Sequence, residues 1–147
     1  IRQLHCSGTF YYFLFLSHYQ LCYCCRGNPS LEFIMKHILF DFEKCSSDIL
    51  DNELYIKFSL EGAAEVAGCK ILKVETHKFE PQGVTGYALL AESHMSIHTW
   101  PEKGIAKCDI FTCNSNNDPL AAIEYLKKRF QTIHVNRWTC DRSYEGI

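Results

Sequence analysis

The segment from residue 92 to residue 113 contains the side chains best suited to covalent and proton-transfer chemistry. Within about twenty residues it places carboxylates, a serine hydroxyl, two imidazoles and a thiol, a mixture that nucleophilic and acid–base catalysis uses. These groups belong to Glu92, Ser93, His94, His98, Glu102 and Cys113. Structural roles seldom require this combination, so the segment is the candidate active site.

Three short elements of this segment carry a family resemblance. They are Glu92-Ser93-His94, His98-Thr99-Trp100-Pro101-Glu102 and Phe111-Thr112-Cys113. In this order they resemble the self-cleavage region of the prokaryotic-type S-adenosylmethionine decarboxylases, which make a pyruvoyl cofactor from one of their own serines. The resemblance extends from about Lys36 to the C terminus.

The resemblance implies that the chain cuts itself between Glu92 and Ser93. The Ser93 hydroxyl would attack the preceding carbonyl, the amide would become an ester, and β-elimination would release the upstream chain. Hydrolysis of the remaining dehydroalanine would leave a covalent pyruvoyl group at the new N terminus. That group would form a Schiff base with the substrate amine and withdraw electrons as carbon dioxide leaves. A serine taken without the resemblance would be assigned to a loop or to a strand end.

The resemblance also implies roles for four other residues. His98 would accept a proton during processing and lie against the substrate, and Cys113 would protonate the former α-carbon. Phe79 would contact the sulfonium and the adenine of S-adenosylmethionine through its aromatic face. Glu102 would accept hydrogen bonds from the ribose hydroxyls of the same substrate. Each has a purely structural alternative: a sheet histidine, a small buried thiol, a core aromatic and a solvated loop charge.

One position departs from the family pattern. The strand before the cleavage site usually contains Gly-Val-Ser-Gly in this family, whereas this chain has Gly83-Val84-Thr85-Gly86. Threonine keeps the hydroxyl but adds a methyl group that restricts χ1. We expect Thr85 to retain the processing role with slower cleavage, although the change could also indicate an altered pocket.

The function implied is removal of carbon dioxide from S-adenosylmethionine, which supplies the aminopropyl donor for spermidine synthesis. Two alternatives stay open: the same chemistry on arginine or ornithine, and a non-catalytic homologue that binds a partner subunit. A third, a metal-dependent hydrolase using His94 and His98, is disfavoured because Ile97, Thr99 and Pro101 make a helix there improbable. We therefore expect no metal.

Composition restricts the class of protein. The chain has 147 residues, 47% of them apolar and 22% charged, which is typical of a single globular domain. Its formal net charge is −2, and no basic stretch occurs, so nucleic-acid binding is not expected. Nine cysteines at irregular spacing fit reduced thiols in a cytoplasmic protein better than a secreted disulfide framework.

The first 34 residues differ in kind from the rest. The apolar run from Phe10 to Leu16 is shorter than the roughly 20 residues that span a bilayer, so no membrane association is expected. Coherent patterning starts at Met35, which predicts that residues 1–34 are a non-native upstream extension or disordered. Residues 35–147 would form the decarboxylase domain.

Periodicity from Met35 onward predicts the elements that position these groups. We expect strands at His37–Phe42, Lys70–Phe79, Val84–Ala91, Met95–Trp100, Ile105–Thr112 and Thr132–Trp138. We expect helices from Ser47 or Asp48 to about Ala67, with Leu50, Leu54, Phe58 and Ala64 as its apolar positions, and from Pro119 to about Phe130. This order predicts an α+β two-layer sandwich, a mostly antiparallel sheet with two helices on one face. The resemblance implies a homodimer or a higher oligomer, with residues of both protomers in the active site.

Overall fold

Alternating apolar residues build a six-stranded sheet in the computed structural model, which describes residues 35–91 and 93–142. The strand order is β2-β3-β4-β5-β1-β6, and every neighbouring pair is antiparallel. The strands are β1 Lys36–Glu43, β2 Ile71–Lys78, β3 Val84–Leu90, β4 Ser93–Trp100, β5 Ile105–Thr112 and β6 His134–Asp141. The predicted antiparallel α+β sandwich is confirmed.

The two-residue period of each strand separates a core face from an outer face. On β1, Ile38, Phe40 and Phe42 are buried as predicted. On β4 the buried residues are Met95, Ile97 and Thr99, so the side chains of the even-numbered residues between them stand on the outer face.

The first predicted helix is interrupted. A single turn, α1 Ser47–Leu50, is followed by a second helix, α2 Glu53–Val66. Asn52 between them is extended, and its side chain accepts a hydrogen bond from the Tyr55 amide at 3.0 Å. Asparagine bonds neighbouring backbone groups more readily outside a helix than within one, so it caps a new helix instead of continuing the old one.

The helix face was also partly mispredicted. Leu50 and Ala64 are buried, but Leu54 and Phe58 are 65% and 57% exposed. The restart at Asn52 resets the phase, and the residues of α2 that face the sheet are Ile56, Ser59, Leu60, Ala63 and Ala64. Leu60 packs close to Gly86 of β3, where an added Cβ would lie 2.9 Å from its Cδ1.

The third helix, α3 Pro119–Arg129, begins where proline and aspartate predicted. Asp118 caps it by accepting hydrogen bonds from the Leu120 and Ala121 amides at 3.0 and 3.2 Å. The helix packs against α2 and β1. Phe130 closes the core, with its ring centroid 5.3 Å from that of Phe42.

The last strand begins two residues later than predicted. Thr132 Oγ1 donates to the Glu43 carbonyl and accepts the His134 amide, at 2.5 and 3.1 Å. Thr132 therefore ends the turn, and β6 starts at His134.

The outer face of the sheet carries apolar side chains. Leu39, Tyr87, Leu89 and Trp138 are each 39–54% exposed, and their cross-strand registers place them on this face. Across residues 35–91 and 93–142, no helix is both long and apolar enough to cross a membrane. The predictions for residues 1–34 and for Glu92 lie outside the described residues.

Candidate active site

Four of the predicted site residues line one open cleft at the start of β3 and the end of β4. These are Phe79, Thr85, His98 and Glu102, and the cleft volume is about 550 Å³. The turn between β2 and β3 forms one wall, and the end of β4 with the short 3₁₀ turn Pro101–Lys103 forms the other.

The strand register fixes the pair at the centre of this cleft. Thr85 of β3 lies directly opposite His98 of β4, and Thr85 Oγ1 is 2.9 Å from His98 Nδ1. The hydroxyl can donate to or accept from this nitrogen according to the imidazole tautomer. The side chain that replaces the family serine therefore makes the contact that a proton-transfer role needs.

The turn that presents Phe79 depends on Gly83. The Phe79 amide donates to the Gly83 carbonyl at 2.8 Å. Gly83 has φ +102°, and a Cβ there would lie 3.1 Å from the Thr99 carbonyl oxygen. Glycine therefore lets the turn fold tightly against β4. Phe79 is left 47% exposed, with its ring available to a ligand.

Asp51, which the sequence analysis missed, stabilises this turn through its carboxylate. Its Oδ1 accepts the Gly83 amide at 2.8 Å and pairs with Lys78 Nζ. Hydrogen bonds from Lys78 and then from Gly83 lower the pKa of Asp51. No sequence signal indicated this role, because Asp51 fell within a helix predicted to be continuous.

Thr99, on the β4 wall of the cleft, links that wall to β3 and to α1. Its buried hydroxyl accepts the Val84 amide and donates to the Leu50 carbonyl, both at 2.8 Å. Because the hydroxyl joins β3, β4 and α1, the two walls of the cleft are held at a fixed separation.

Glu102 stands at the rim of the cleft on the 3₁₀ turn. Its Oε2 accepts a hydrogen bond from Gln82 Nε2 at 3.1 Å. The second carboxylate oxygen makes the side chain able to accept ligand hydroxyls.

Ser93 and Cys113 lie at the opposite end of the same strands. Ser93 begins β4 opposite Leu90 of β3, and Cys113 follows the last residue of β5. Ser93 Oγ is buried and makes no hydrogen bond, a condition that no other side-chain nitrogen or oxygen in the described part of the chain shares. An unsatisfied buried hydroxyl costs about 1–3 kcal/mol, so its persistence points to a role other than stability.

One chain does not bring the two groups of predicted residues together. Ser93 and His98 are five residues apart on β4, which corresponds to about 17 Å at the rise of a strand. His98 in the cleft is therefore too far away to exchange a proton with Ser93 of the same chain.

The thiols differ in their surroundings. Cys45 and Cys108 are buried in the core. Burial raises the pKa of Cys45 to about 11 and that of Cys108 well above its usual value. Cys113 is only partly buried. Core thiols with a raised pKa are poor thiolates and inert, which leaves Cys113 as the better placed proton donor of the three.

His94 does not pair with His98. Four residues of strand separate them by about 13 Å, too far to share an ion. Instead His94 Nε2 lies 3.0 Å from Asp109 Oδ2, on which His37 Nε2 also converges at 2.9 Å. Burial acts to raise the pKa of Asp109, but hydrogen bonds from Ser96, His37 and His94 outweigh it and hold that pKa below its usual value.

Comparison with family models identifies the chain. The model described as S-adenosylmethionine decarboxylase matches residues 36–143, from the first residue of β1 to beyond the end of β6. The chain belongs to the S-adenosylmethionine decarboxylase family. The sequence resemblance is thereby confirmed over the whole described sheet.

Individual relatives of this decarboxylase family member are similar over most of their own length. An S-adenosylmethionine decarboxylase proenzyme of Prochlorococcus marinus is 48% identical over 99 residues, which cover 67% of this chain and 81% of the relative. One of Methanococcus aeolicus is 43% identical over 112 residues, covering 73% and 96%. The crystal structure of the adenosylmethionine decarboxylase from Aquifex aeolicus superposes with a TM-score of 0.72 at 31% identity, covering 79% of this chain and 96% of that one.

Proposed function

We propose that this chain is a self-cleaving decarboxylase that removes carbon dioxide from S-adenosylmethionine and so forms an aminopropyl donor for spermidine synthesis. The observation that carries the proposal is Ser93 Oγ, buried without a hydrogen-bond partner at the start of β4. It lies in the element Glu92-Ser93-His94 of a chain whose relatives are named as decarboxylase proenzymes.

Cleavage begins with Ser93. Its hydroxyl oxygen attacks the carbonyl carbon of Glu92, and collapse of the adduct breaks the C–N bond and leaves an ester. Removal of the Ser93 α-proton then expels the Glu92 carboxylate, and hydrolysis of the dehydroalanine releases ammonia. Since no partner holds Ser93 Oγ, the attack does not have to break an existing hydrogen bond.

The resulting pyruvoyl group supplies an electron-withdrawing carbonyl that takes the substrate amine and the electrons left as carbon dioxide departs. An orphaned serine hydroxyl at a strand start fits a residue whose side chain is consumed in making this group. Cys113 follows β5 beside the start of β4 and is the proton donor to the former α-carbon. Cys113 is only partly buried, unlike the core thiols Cys45 and Cys108.

The cleft at the other end of the sheet binds the nucleoside. Phe79 offers an exposed aromatic face to the sulfonium and the adenine, and Glu102 accepts the ribose hydroxyls. Arginine and ornithine have neither a sulfonium nor a ribose, and the names of the relatives also favour S-adenosylmethionine over them.

Two copies of the chain complete each site. Ser93 and His98 are about 17 Å apart on β4. Each active site therefore combines His98 and Thr85 of one protomer with Ser93 and Cys113 of the other. The outer face of the sheet, with its exposed Leu39, Tyr87, Leu89 and Trp138, is the surface that a symmetric partner covers. Association through this face would leave both helical layers outside.

The test is the fate of the Glu92–Ser93 bond together with substrate turnover. Purified chain is expected to yield two fragments, with the C-terminal fragment starting at a pyruvoyl group and lacking an amine by mass spectrometry. The Ser93→Ala variant is expected to stay in one piece. Carbon dioxide release from S-adenosylmethionine should then exceed release from arginine and ornithine, measured side by side.

Three results would contradict the proposal in different ways. A wild-type chain that stays uncut and inactive would favour the non-catalytic homologue. Cleavage followed by turnover of arginine or ornithine would keep the chemistry and reject the substrate. Turnover by Ser93→Ala would reject Ser93 as the source of the cofactor.

A further inference from the structure

Three adjacent strands, β4, β5 and β1, bring two imidazoles and a carboxylate together on the outer face. His37 of β1 and His94 of β4 both lie opposite Phe111 of the strand between them, β5. Asp109 precedes Phe111 by two residues on β5 and therefore shares its face. Their proximity is a consequence of sheet register, since these residues are far apart in sequence.

The side chains of this cluster converge on one carboxylate oxygen. His37 Nε2 and His94 Nε2 lie 2.9 and 3.0 Å from Asp109 Oδ2. The Ser96 hydroxyl donates to the other oxygen, Oδ1. One ligand atom from each of His37, His94 and Asp109 lies within 4.8 Å of the other two.

We propose that His37, His94 and Asp109 form a binding site for a divalent transition-metal ion of the zinc class. Zinc binds imidazole nitrogen and carboxylate oxygen at about 2.0–2.2 Å, so two ligand atoms in a tetrahedral shell are about 3.4 Å apart. The observed nitrogen–oxygen separations need to open by about half an ångström, which small side-chain rotations supply. For the ion to bind, each neutral imidazole presents its Nε2 lone pair and carries its proton on Nδ1.

The donor set decides the chemical class of the ion. Two imidazoles suit zinc, copper, nickel and cobalt, whereas magnesium and calcium prefer oxygen ligands. Three protein ligands leave a fourth position for water on the outer face, where the His94 side chain is 44% exposed in the single chain. In the proposed dimer this position faces the partner subunit. Lys107, two residues from Asp109 on the same face, pairs with Asp41 and does not occupy the carboxylate.

The surroundings orient the ligands as outer-shell groups do in metal sites. Ser96 fixes the Asp109 carboxylate from its far side. The Phe111 ring contacts both imidazoles, with centroids 5.8 Å from His37 and 5.9 Å from His94. All the ligands are on paired strands, so the backbone cannot shift to separate them.

The experiment measures metal binding by the full chain, with no activity readout. Zinc binding is followed by equilibrium dialysis, and cobalt binding by its visible spectrum, in the wild type and in the uncut Ser93→Ala variant. We expect one ion per chain in both proteins. The affinity for this ion should be unchanged in about 10 mM magnesium, a large excess of a hard competing cation. Agreement between the two chains makes the result independent of the proposed cleavage.

Matched variants assign the ion to the cluster. Asp109→Asn and His37→Gln are expected to abolish the one-ion binding, and Ser96→Ala to weaken it by about tenfold or more. His98→Gln, on the same strand face as His94, should bind as the wild type does. Circular dichroism melting of each variant confirms that a loss of binding is not a loss of fold.

Two outcomes would overturn the proposal. One is an affinity that Asp109→Asn leaves unchanged, together with a sulfur-to-cobalt charge-transfer band, which would assign the ion to thiols elsewhere in the chain. The other is the absence of stoichiometric zinc binding by a folded wild-type chain.

Discussion

Thr85 is the residue at which this chain departs from the pattern of its family, and its hydroxyl is 2.9 Å from His98 Nδ1. Thr85→Val removes the hydroxyl and keeps the shape of the side chain. Because general acid–base contacts typically contribute a factor of about 10²–10⁴, we expect self-cleavage to slow by about a hundredfold. The half-time of cleavage on a denaturing gel measures this effect.

Thr85→Ser is the matched control. It restores the family residue and removes the methyl group that restricts χ1, so cleavage should be at least as fast as in the wild type. If Thr85→Val matured at the wild-type rate, the hydroxyl would have no part in processing.

Cys113 separates the two reactions proposed for this chain. Cys113→Ala should still cut itself, because the attacking hydroxyl belongs to Ser93. Its carbon dioxide release should fall by about 10²–10⁴ because the donor for the α-carbon is gone. Cys140→Ala, which removes an exposed thiol on β6, should leave both reactions unchanged. Full turnover by Cys113→Ala would assign the proton to another group.

At the scale of elements, the turn between β2 and β3 determines whether the cleft exists. Gly83→Ala forces a side chain into a left-handed conformation and against the Thr99 carbonyl, 3.1 Å away. We expect a loss of about 2 kcal/mol or more in the free energy of unfolding and a raised KM for the nucleoside substrate. Urea unfolding at a fixed pH measures the first quantity.

Gly68 provides the comparison for this strain. It also has positive φ, +72°, but the nearest atom to an added Cβ is 3.9 Å away. Gly68→Ala should therefore cost only the conformational penalty of about 1 kcal/mol and leave KM unchanged. Equal losses in the two variants would mean that the approach of Gly83 to Thr99 adds nothing.

At the scale of the whole molecule, the proposed site needs two chains. A His98→Gln protomer and a Cys113→Ala protomer, co-expressed, form mixed dimers in which one of the two sites has every wild-type residue. Statistical mixing then restores about a quarter of the wild-type turnover, whereas each variant alone stays nearly inactive. The turnover of the purified mixture, with the dimer fraction from sedimentation, measures this.

Failure of the mixture would have a clear meaning. If co-expressed variants formed dimers but recovered no activity, Ser93, Cys113 and His98 would have to work within one chain. The strand separation of about 17 Å would then have to close by a rearrangement of β4.

The sequence determined the strands and, on β1, the buried face, because an apolar residue at every second position allows only one side of a strand to face the core. It also predicted the cleft residues Phe79, Thr85, His98 and Glu102, because its motifs resemble those of the S-adenosylmethionine decarboxylases.

The sequence did not predict the break at Asn52 or the support given by Asp51, because both depend on which of several hydrogen bonds the folded chain makes. Helical spacing alone placed Leu54 and Phe58 in the core, and the cap at Asn52 placed them on the surface.

Only the tertiary structure decided which of the reactive residues are neighbours. In sequence Ser93 and His98 look adjacent and His37 and Asp109 look unrelated, but an extended strand carries the first pair apart and sheet register brings the second pair together. Distance along a strand grows by about 3.3 Å per residue, whereas neighbouring strands lie about 4.8 Å apart whatever their separation in sequence. A list of reactive residues therefore indicates chemistry, and strand pairing determines which of them can share a proton, a substrate or an ion.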